Sequence, residues 1–258
     1  MTQIKNLLDD DFAPSRNILL VGSPGTQKTI ACSMLPQPIL WFSCDYGPDR
    51  GFPPFVITHL KQNSDNVIVP VRGTPYNALK TYLKSHHNRE TKSIVIDPIG
   101  YFQKHLLEEI MTHGIGKMKT KPTYDEWGQL IERTWEFLAT VCDMGLNVCV
   151  TGHQLADKEM ITESMIGLPH VIGTKLPYDL PGMFSTVLHL ESTPRASGPP
   201  SIKARSTPTH IWSFCKDVTG ILDATEEHPI AWTRKMFGDE CAIPEGYRAP
   251  QPKKGTSS

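Results

Sequence analysis

The apolar run Asn17-Ile-Leu-Leu-Val21 feeds directly into Gly22-Ser-Pro-Gly-Thr-Gln-Lys-Thr29. Few sequence features restrict a fold as tightly as this one. A buried strand that turns through a glycine-bearing loop into a helix gathers several backbone N–H groups at the positive end of a helix dipole, and so builds an anion cradle. The phosphate-binding P-loop asks for glycine, four residues, glycine, lysine, then serine or threonine. Gly22, Lys28 and Thr29 comply, and Gln27 stands where the second glycine belongs. In this pattern the cradle runs over Gly22, Ser23, Pro24, Gly25, Thr26, Gln27, Lys28, Thr29 and Ile30. Lys28 reaches the β- and γ-phosphates and the Thr29 hydroxyl ligates Mg²⁺. Gln27 retains its N–H donor, but its Cβ adds bulk close to the phosphates. The bland alternative is a strand–turn–helix connection that merely contains Lys-Thr.

The chain of 258 residues can bury a substantial core within one domain, and 39% hydrophobic with 21% charged residues is ordinary for a globular protein. A net charge of −1 excludes a molecule that is basic all over, so a nucleic-acid surface must be a local patch. Six cysteines, Cys32, Cys44, Cys142, Cys149, Cys215 and Cys241, are scattered without a Cys-x-x-Cys pair. Several lie in apolar segments, which favours buried reduced thiols over disulfides or zinc ligands. No apolar stretch approaches the roughly 18–20 residues that span a bilayer, and the first residues lack a signal-peptide pattern. The expectation is a cytoplasmic protein with no membrane partner.

Strand-like apolar runs recur at residues 18–21, 38–42, 66–71, 93–96, 147–151 and 186–190, with helical patterns at 29–35, 76–85, 100–112 and 124–144. The last is the clearest, with Trp127, Leu130, Ile131, Thr134, Phe137, Leu138 and Val141 spaced at three and four. Short apolar strands alternating with helices predict an α/β fold with a mainly parallel sheet flanked by helices. Residues 1–15 read as a polar lead-in, 16–225 as the main domain, and 226–258 as an extension with a disordered tail. A further strand is predicted over residues 209–215.

The strand tips carry the chemistry. Ser93-Ile-Val-Ile-Asp97 ends a buried strand in a carboxylate, which fits a water-mediated Mg²⁺ ligand beside the phosphates or a capping acid. Asp45, closing Leu40-Trp-Phe-Ser-Cys-Asp45, fits a general base that orients the attacking water or the opening of a turn. His153 and Gln154, after Asn147-Val-Cys-Val-Thr-Gly152, fit a γ-phosphate sensor or ordinary strand-end hydrogen bonding. Residues 112–122, with Lys117, Lys119 and Lys121, and residues 156–179, with Lys158 and Lys175, read as mobile basic loops. Such loops suit phosphate-backbone contact or plain solvation. Lys216, beside Asp217, is either a cation offered to a neighbouring subunit's nucleotide or part of a turn.

This ordered set of motifs, from Ile18 to Asp223, resembles the RecA-like P-loop ATPases, and more closely the phage-type AAA-domain ATPases that include single-strand annealing proteins. The resemblance implies a RecA-like core, ATP with Mg²⁺, and a homo-oligomer, ring or filament, with nucleotide at subunit interfaces. It implies single-stranded DNA as a partner, together with a single-strand DNA-binding protein. By position Asp45 matches the catalytic carboxylate, which in these ATPases is usually the longer glutamate. Gln154 matches the sensor glutamine, residues 112–122 the first DNA-contacting loop, and Lys216 the basic residue presented across the interface. A nucleotide-locked adaptor with little hydrolysis, and a ring motor or helicase-like ATPase, are the alternatives.

Overall fold

The computed structural model describes residues 15–47, 51–87, 90–112, 121–158, 165–194, 200–245 and 247. Six parallel strands form its centre, in the order β8 (Thr186–Thr193), β1 (Asn17–Gly22), β5 (Asn147–Gly152), β4 (Ser93–Asp97), β2 (Ile39–Ser43) and β3 (Val67–Pro70). Strands β1, β2, β4 and β5 are apolar on both faces because helices cover both. Leu19, Val21, Ile94, Ile96, Val148 and Val150 point into one core, while Ile18, Leu20, Val95 and Cys149 point into the other. The first core is roofed by α3 (Tyr76–His87), α4 (Ile99–Thr112) and α5 (Tyr124–Cys142). The second is roofed by α1 (Lys28–Cys32), α2 (Pro54–Lys61) and α7 (Pro229–Phe237). The α/β class with a mainly parallel, helix-flanked sheet is therefore what the chain adopts.

Local chemistry sets the element ends. Thr123 Oγ1 accepts the Glu126 amide at 3.4 Å while Glu126 Oε2 accepts the Thr123 amide at 2.6 Å, a capping box that starts α5. Short antiparallel strands widen the sheet beyond β8. These are β9 (Ser201–Arg205), β10 (Lys216–Asp217) and β11 (Thr225–Glu226), with β9 and β10 sharing the β8 edge.

Two segments differ from the sequence expectation. Residues 156–179, read as a mobile loop, include most of a hairpin of β6 (Gln154–Lys158) and β7 (Met165–Pro169), and then the short helix α6 (Leu176–Asp179). Ile166, Leu168, Val171 and Leu176 are buried there, so apolar contact holds what the basic residues suggested was loose. Residues 209–215, read as a strand, form turns instead. Trp212 lies flat on His189, with ring centroids 3.6 Å apart and planes at 16°, and it covers Gly167 so closely that a Cβ there would fall 2.3 Å from the indole. The apolar residues of this segment form a cap over β7 and β8 rather than a ladder.

The residues beyond 225 contribute to the main core. Trp232 of α7 is fully buried in the cluster that holds Ala31 and Cys32 of α1 and Ile202 of β9. Trp232→Ala should therefore cost about 3–5 kcal/mol of stability, read as a lower urea midpoint with an unchanged slope. A loss under about 1 kcal/mol would mean that α7 is appended to the domain rather than built into it.

Candidate functional site

The loop between β1 and α1 is shaped by close approaches. A Cβ on Gly22 would fall 2.7 Å from the Leu190 carbonyl oxygen and 2.8 Å from Thr26 Oγ1, so only glycine fits where the strand turns. Thr26 Oγ1 donates to the Ser23 carbonyl at 2.8 Å and tightens the loop from inside. Gln27 adopts φ 64° and ψ 26°, left-handed geometry that no other described residue except glycine shares. The motif's usual glycine is accounted for by this: the position demands positive φ, and a side chain there costs about 1 kcal/mol. The Gln27 side chain accepts a hydrogen bond from Tyr247 Oη at 2.8 Å.

Lys28 is folded over the loop. Its Nζ donates to the carbonyls of Gly22 at 2.8 Å and Ser23 at 2.9 Å, and to Thr26 Oγ1 at 3.3 Å. Burial pulls its pKa below the usual lysine value, and the nearby Asp97, Cys32 and Asp45 oppose that pull. The oxygens that hold the ammonium in place are all neutral.

Asp97 ends β4 directly beside this lysine. Thr29 Oγ1 donates to its Oδ2 at 2.8 Å, and Thr151 Oγ1 of β5 donates to its Oδ1. Burial raises the Asp97 pKa, and the two hydroxyls and Lys28 counter the rise. A hydroxyl and a carboxylate side by side are hard oxygen donors and suit Mg²⁺. No group of three or more His, Cys, Asp or Glu side chains able to hold a metal occurs among the described residues. Thr29 and Asp97 supply two hard oxygens within hydrogen-bond distance of each other, a donor set that fits Mg²⁺.

Asp45 lies two residues beyond β2, and the chain returns over it at Gly51, where a Cβ would sit 2.3 Å from Asp45 Oδ2. Burial first, then the charge of Asp97, push its pKa up to about 6, with Lys28 pulling the other way. Lys28, Thr29, Asp45, Asp97, Tyr101 and His153 line one cleft of about 410 Å³ together with Gly25, Gln27 and Ile30. Burial first, then the charge of Lys28, lower the His153 pKa, and its ring meets Tyr101 edge-on at 5.7 Å.

Not every predicted residue arrives here. Gln154 opens β6 and turns away: its Oε1 accepts from His189 Nε2 at 2.9 Å, while its neighbour His153 faces the cleft. Lys216 pairs with Val187 at the sheet edge, outside the cleft of its own chain, and Asp217 caps the turn that follows by accepting from Thr219, Ile221 and Leu222. Lys121 and Lys175 are exposed. Lys158 ends β6, and Lys117 and Lys119 lie outside the described residues. Thr151, Tyr101 and Gly51 belong to the site without having been singled out in the sequence. Thr151 sits in the strand motif that ends at His153, where a hydroxyl two residues before a tip is the available signal.

Among solved structures, the chain is similar to a KaiC-like protein from the hyperthermophilic archaeon Pyrococcus horikoshii OT3, at 14% identity over 75% of this chain and 79% of that one, with a TM-score of 0.45. It is also similar to the flagellar accessory protein FlaH from Methanocaldococcus jannaschii, at 9% identity over 82% and 84% of the two chains, with a TM-score of 0.39. No curated protein matches it. The AAA domain matches residues 15–218, a span that contains the P-loop, both strand-tip aspartates and β10. The chain belongs to the AAA domain family of P-loop ATPases.

Proposed function

We propose that the protein binds and hydrolyses ATP and acts on single-stranded DNA in recombination, annealing or replication. One observation carries the nucleotide reading: Lys28, the Thr29–Asp97 hydrogen bond and Asp45 converge on a single cleft from three separate strand ends. In this reading the loop amides and Lys28 hold the β- and γ-phosphates and stabilise charge as the phosphoryl group transfers. Thr29 and Asp97 would hold Mg²⁺, which when bound neutralises phosphate charge and fixes the leaving group. Asp45 takes a proton from the attacking water. His153, adjacent to Gln154, faces the position of the γ-phosphate, and the hairpin β6–β7 that starts at Gln154 relays its presence.

The DNA part rests on the family resemblance and on the exposed Lys121 and Lys175, with Lys117, Lys119 and Lys158 in the two basic stretches of the sequence that hold them. The charge of the cleft supports a homo-oligomer. Lys28 is the one lysine or arginine lining the cleft among the described residues, and it faces two carboxylates. A second cation would come from a neighbour's Lys216, which is half-buried at the sheet edge. No helix of the described residues is long and apolar enough to cross a membrane, and the setting we propose is the cytoplasm, that of the host if the chain is phage-encoded.

The experiment is ATP binding and turnover with Mg²⁺, with and without single-stranded DNA and a single-strand DNA-binding protein. Turnover that rises severalfold on adding DNA supports the whole reading. Turnover indifferent to DNA removes the DNA part and leaves the ATPase. A second reading, a nucleotide-locked adaptor, is favoured by the short carboxylate at position 45 and the side chain at position 27. It predicts tight ATP binding with negligible turnover that Gln27→Gly restores.

A further inference from the structure

Gln27 departs from the P-loop pattern, and its side chain is engaged by a residue 220 positions away. That residue, Tyr247, belongs to a segment tied to the elements around the P-loop helix. The Ala242 amide donates to the Met34 carbonyl at 3.0 Å, just beyond the end of α1. Cys241 Sγ donates to Thr233 Oγ1 of α7 at 3.4 Å, and Pro244 is buried. The Tyr247 amide closes a turn onto the Pro244 carbonyl at 3.1 Å, and its ring lies 6.4 Å from Phe55 of α2. Burial pushes the Tyr247 phenol up to about 12, so the hydroxyl stays protonated and donates at any working pH.

The backbone explains what this contact does. The loop holds Gln27 at φ 64°, where a Cβ is disfavoured and glycine is not. The amides of residues 27 and 28 point according to that dihedral. A Gln27 released from its partner tends toward right-handed geometry and turns those amides. We infer that Tyr247 is a positioning residue for the phosphate cradle: its hydroxyl, through Gln27 Oε1, holds position 27 in the geometry that glycine would adopt unaided. The segment ending at Tyr247 is then part of the nucleotide site, and Gln27 with Tyr247 replaces the missing glycine as a pair. This inference rests on the nucleotide reading proposed above.

A double-mutant cycle on the full chain tests it, with calorimetric affinities for ATP with Mg²⁺ and for inorganic tripolyphosphate. Tyr247→Phe should weaken both ligands about fivefold, the loss of one hydrogen bond. Gln27→Gly should bind both at least as tightly as wild type, and in that background Tyr247→Phe should change nothing. An equal loss in both backgrounds overturns the inference, as does tighter binding by Tyr247→Phe, which would mark an obstructing strap. A loss confined to ATP overturns it too, because Tyr247 would then touch the nucleoside. Tight wild-type binding with no response to Tyr247→Phe defeats this inference alone, whereas a wild type that binds neither ligand defeats the nucleotide reading beneath it.

Discussion

Lys28→Ala should reduce ATP turnover by about 10³-fold and erase the thermal stabilisation that ATP with Mg²⁺ gives the wild type. The size of the effect follows from the cleft's charge. Asp45 and Asp97 both face the space that a triphosphate would fill, burial disfavours a charge on His153, and Lys28 is the one lysine or arginine among the lining side chains of the described residues. Without it, phosphate oxygens meet two carboxylates, and each of those loses the positive charge that restrains its pKa. Lys28→Arg should rescue little. The ammonium sits between the Gly22 and Ser23 carbonyls at 2.8 and 2.9 Å, a space matched to a compact head on a flexible stem rather than to a planar fork. The fold should survive both changes, since the Lys28 contacts are all within its own loop. Circular dichroism and the urea midpoint check this. Turnover within tenfold of wild type for Lys28→Ala would dissociate the P-loop from the activity altogether.

The parts of this site that the sequence exposed share one physical trait. Parallel strands buried on both faces read as unbroken apolar runs, so the polar residue that ends each run marks a strand tip. Asp97 and His153 reach the cleft by that logic, and Asp45 lies close enough to the tip of β2 to follow it. Gln154 shows its limit. His153 lies between the end of β5 and the start of β6, its successor turns off to His189, and spacing alone does not tell which of the two faces the cleft. Edge elements were hidden for a different reason. Ser201-Ile-Lys-Ala-Arg205 alternates buried and half-buried residues in a short antiparallel strand, and Lys216-Asp217 is too brief to form a pattern. Helix α7 lay in a segment whose prolines and charges suggested an extension, yet Trp232 and Met236 anchor it to the core. The Tyr247–Gln27 hydrogen bond left no local trace, because contacts across 220 residues have none. The P-loop pattern marked position 27 only as the place of a missing glycine, and the structure supplies the reason: the backbone there has positive φ, which a glutamine adopts.

Asp45→Asn should lower turnover by about 10²–10³-fold while leaving ATP affinity near that of the wild type, because the amide keeps the shape of the carboxylate and removes its basicity. Its pKa supplies a second signature. With Asp45 raised to about 6, wild-type kcat/KM should fall on the acid side with a midpoint close to that value, and the variant's residual rate should lack this limb. Stability should respond in the opposite sense to that of a salt-bridged carboxylate. The folded pKa lies above the unfolded value of 3.8, so between about pH 4 and 6 the folded chain binds more protons than the unfolded one. Ionising Asp45 therefore costs stability as pH rises through this window, and the cost is fully present above pH 6. Asp45→Asn, which carries no charge, should unfold at a higher urea concentration than wild type at pH 7.5, and the advantage should vanish at pH 4. A variant that is inactive and yet no more stable at pH 7.5 would remove burial as the cause of the raised pKa. A variant that keeps wild-type turnover with its acid limb intact would pass the role of base to another group, and His153 is the next titratable side chain in the cleft.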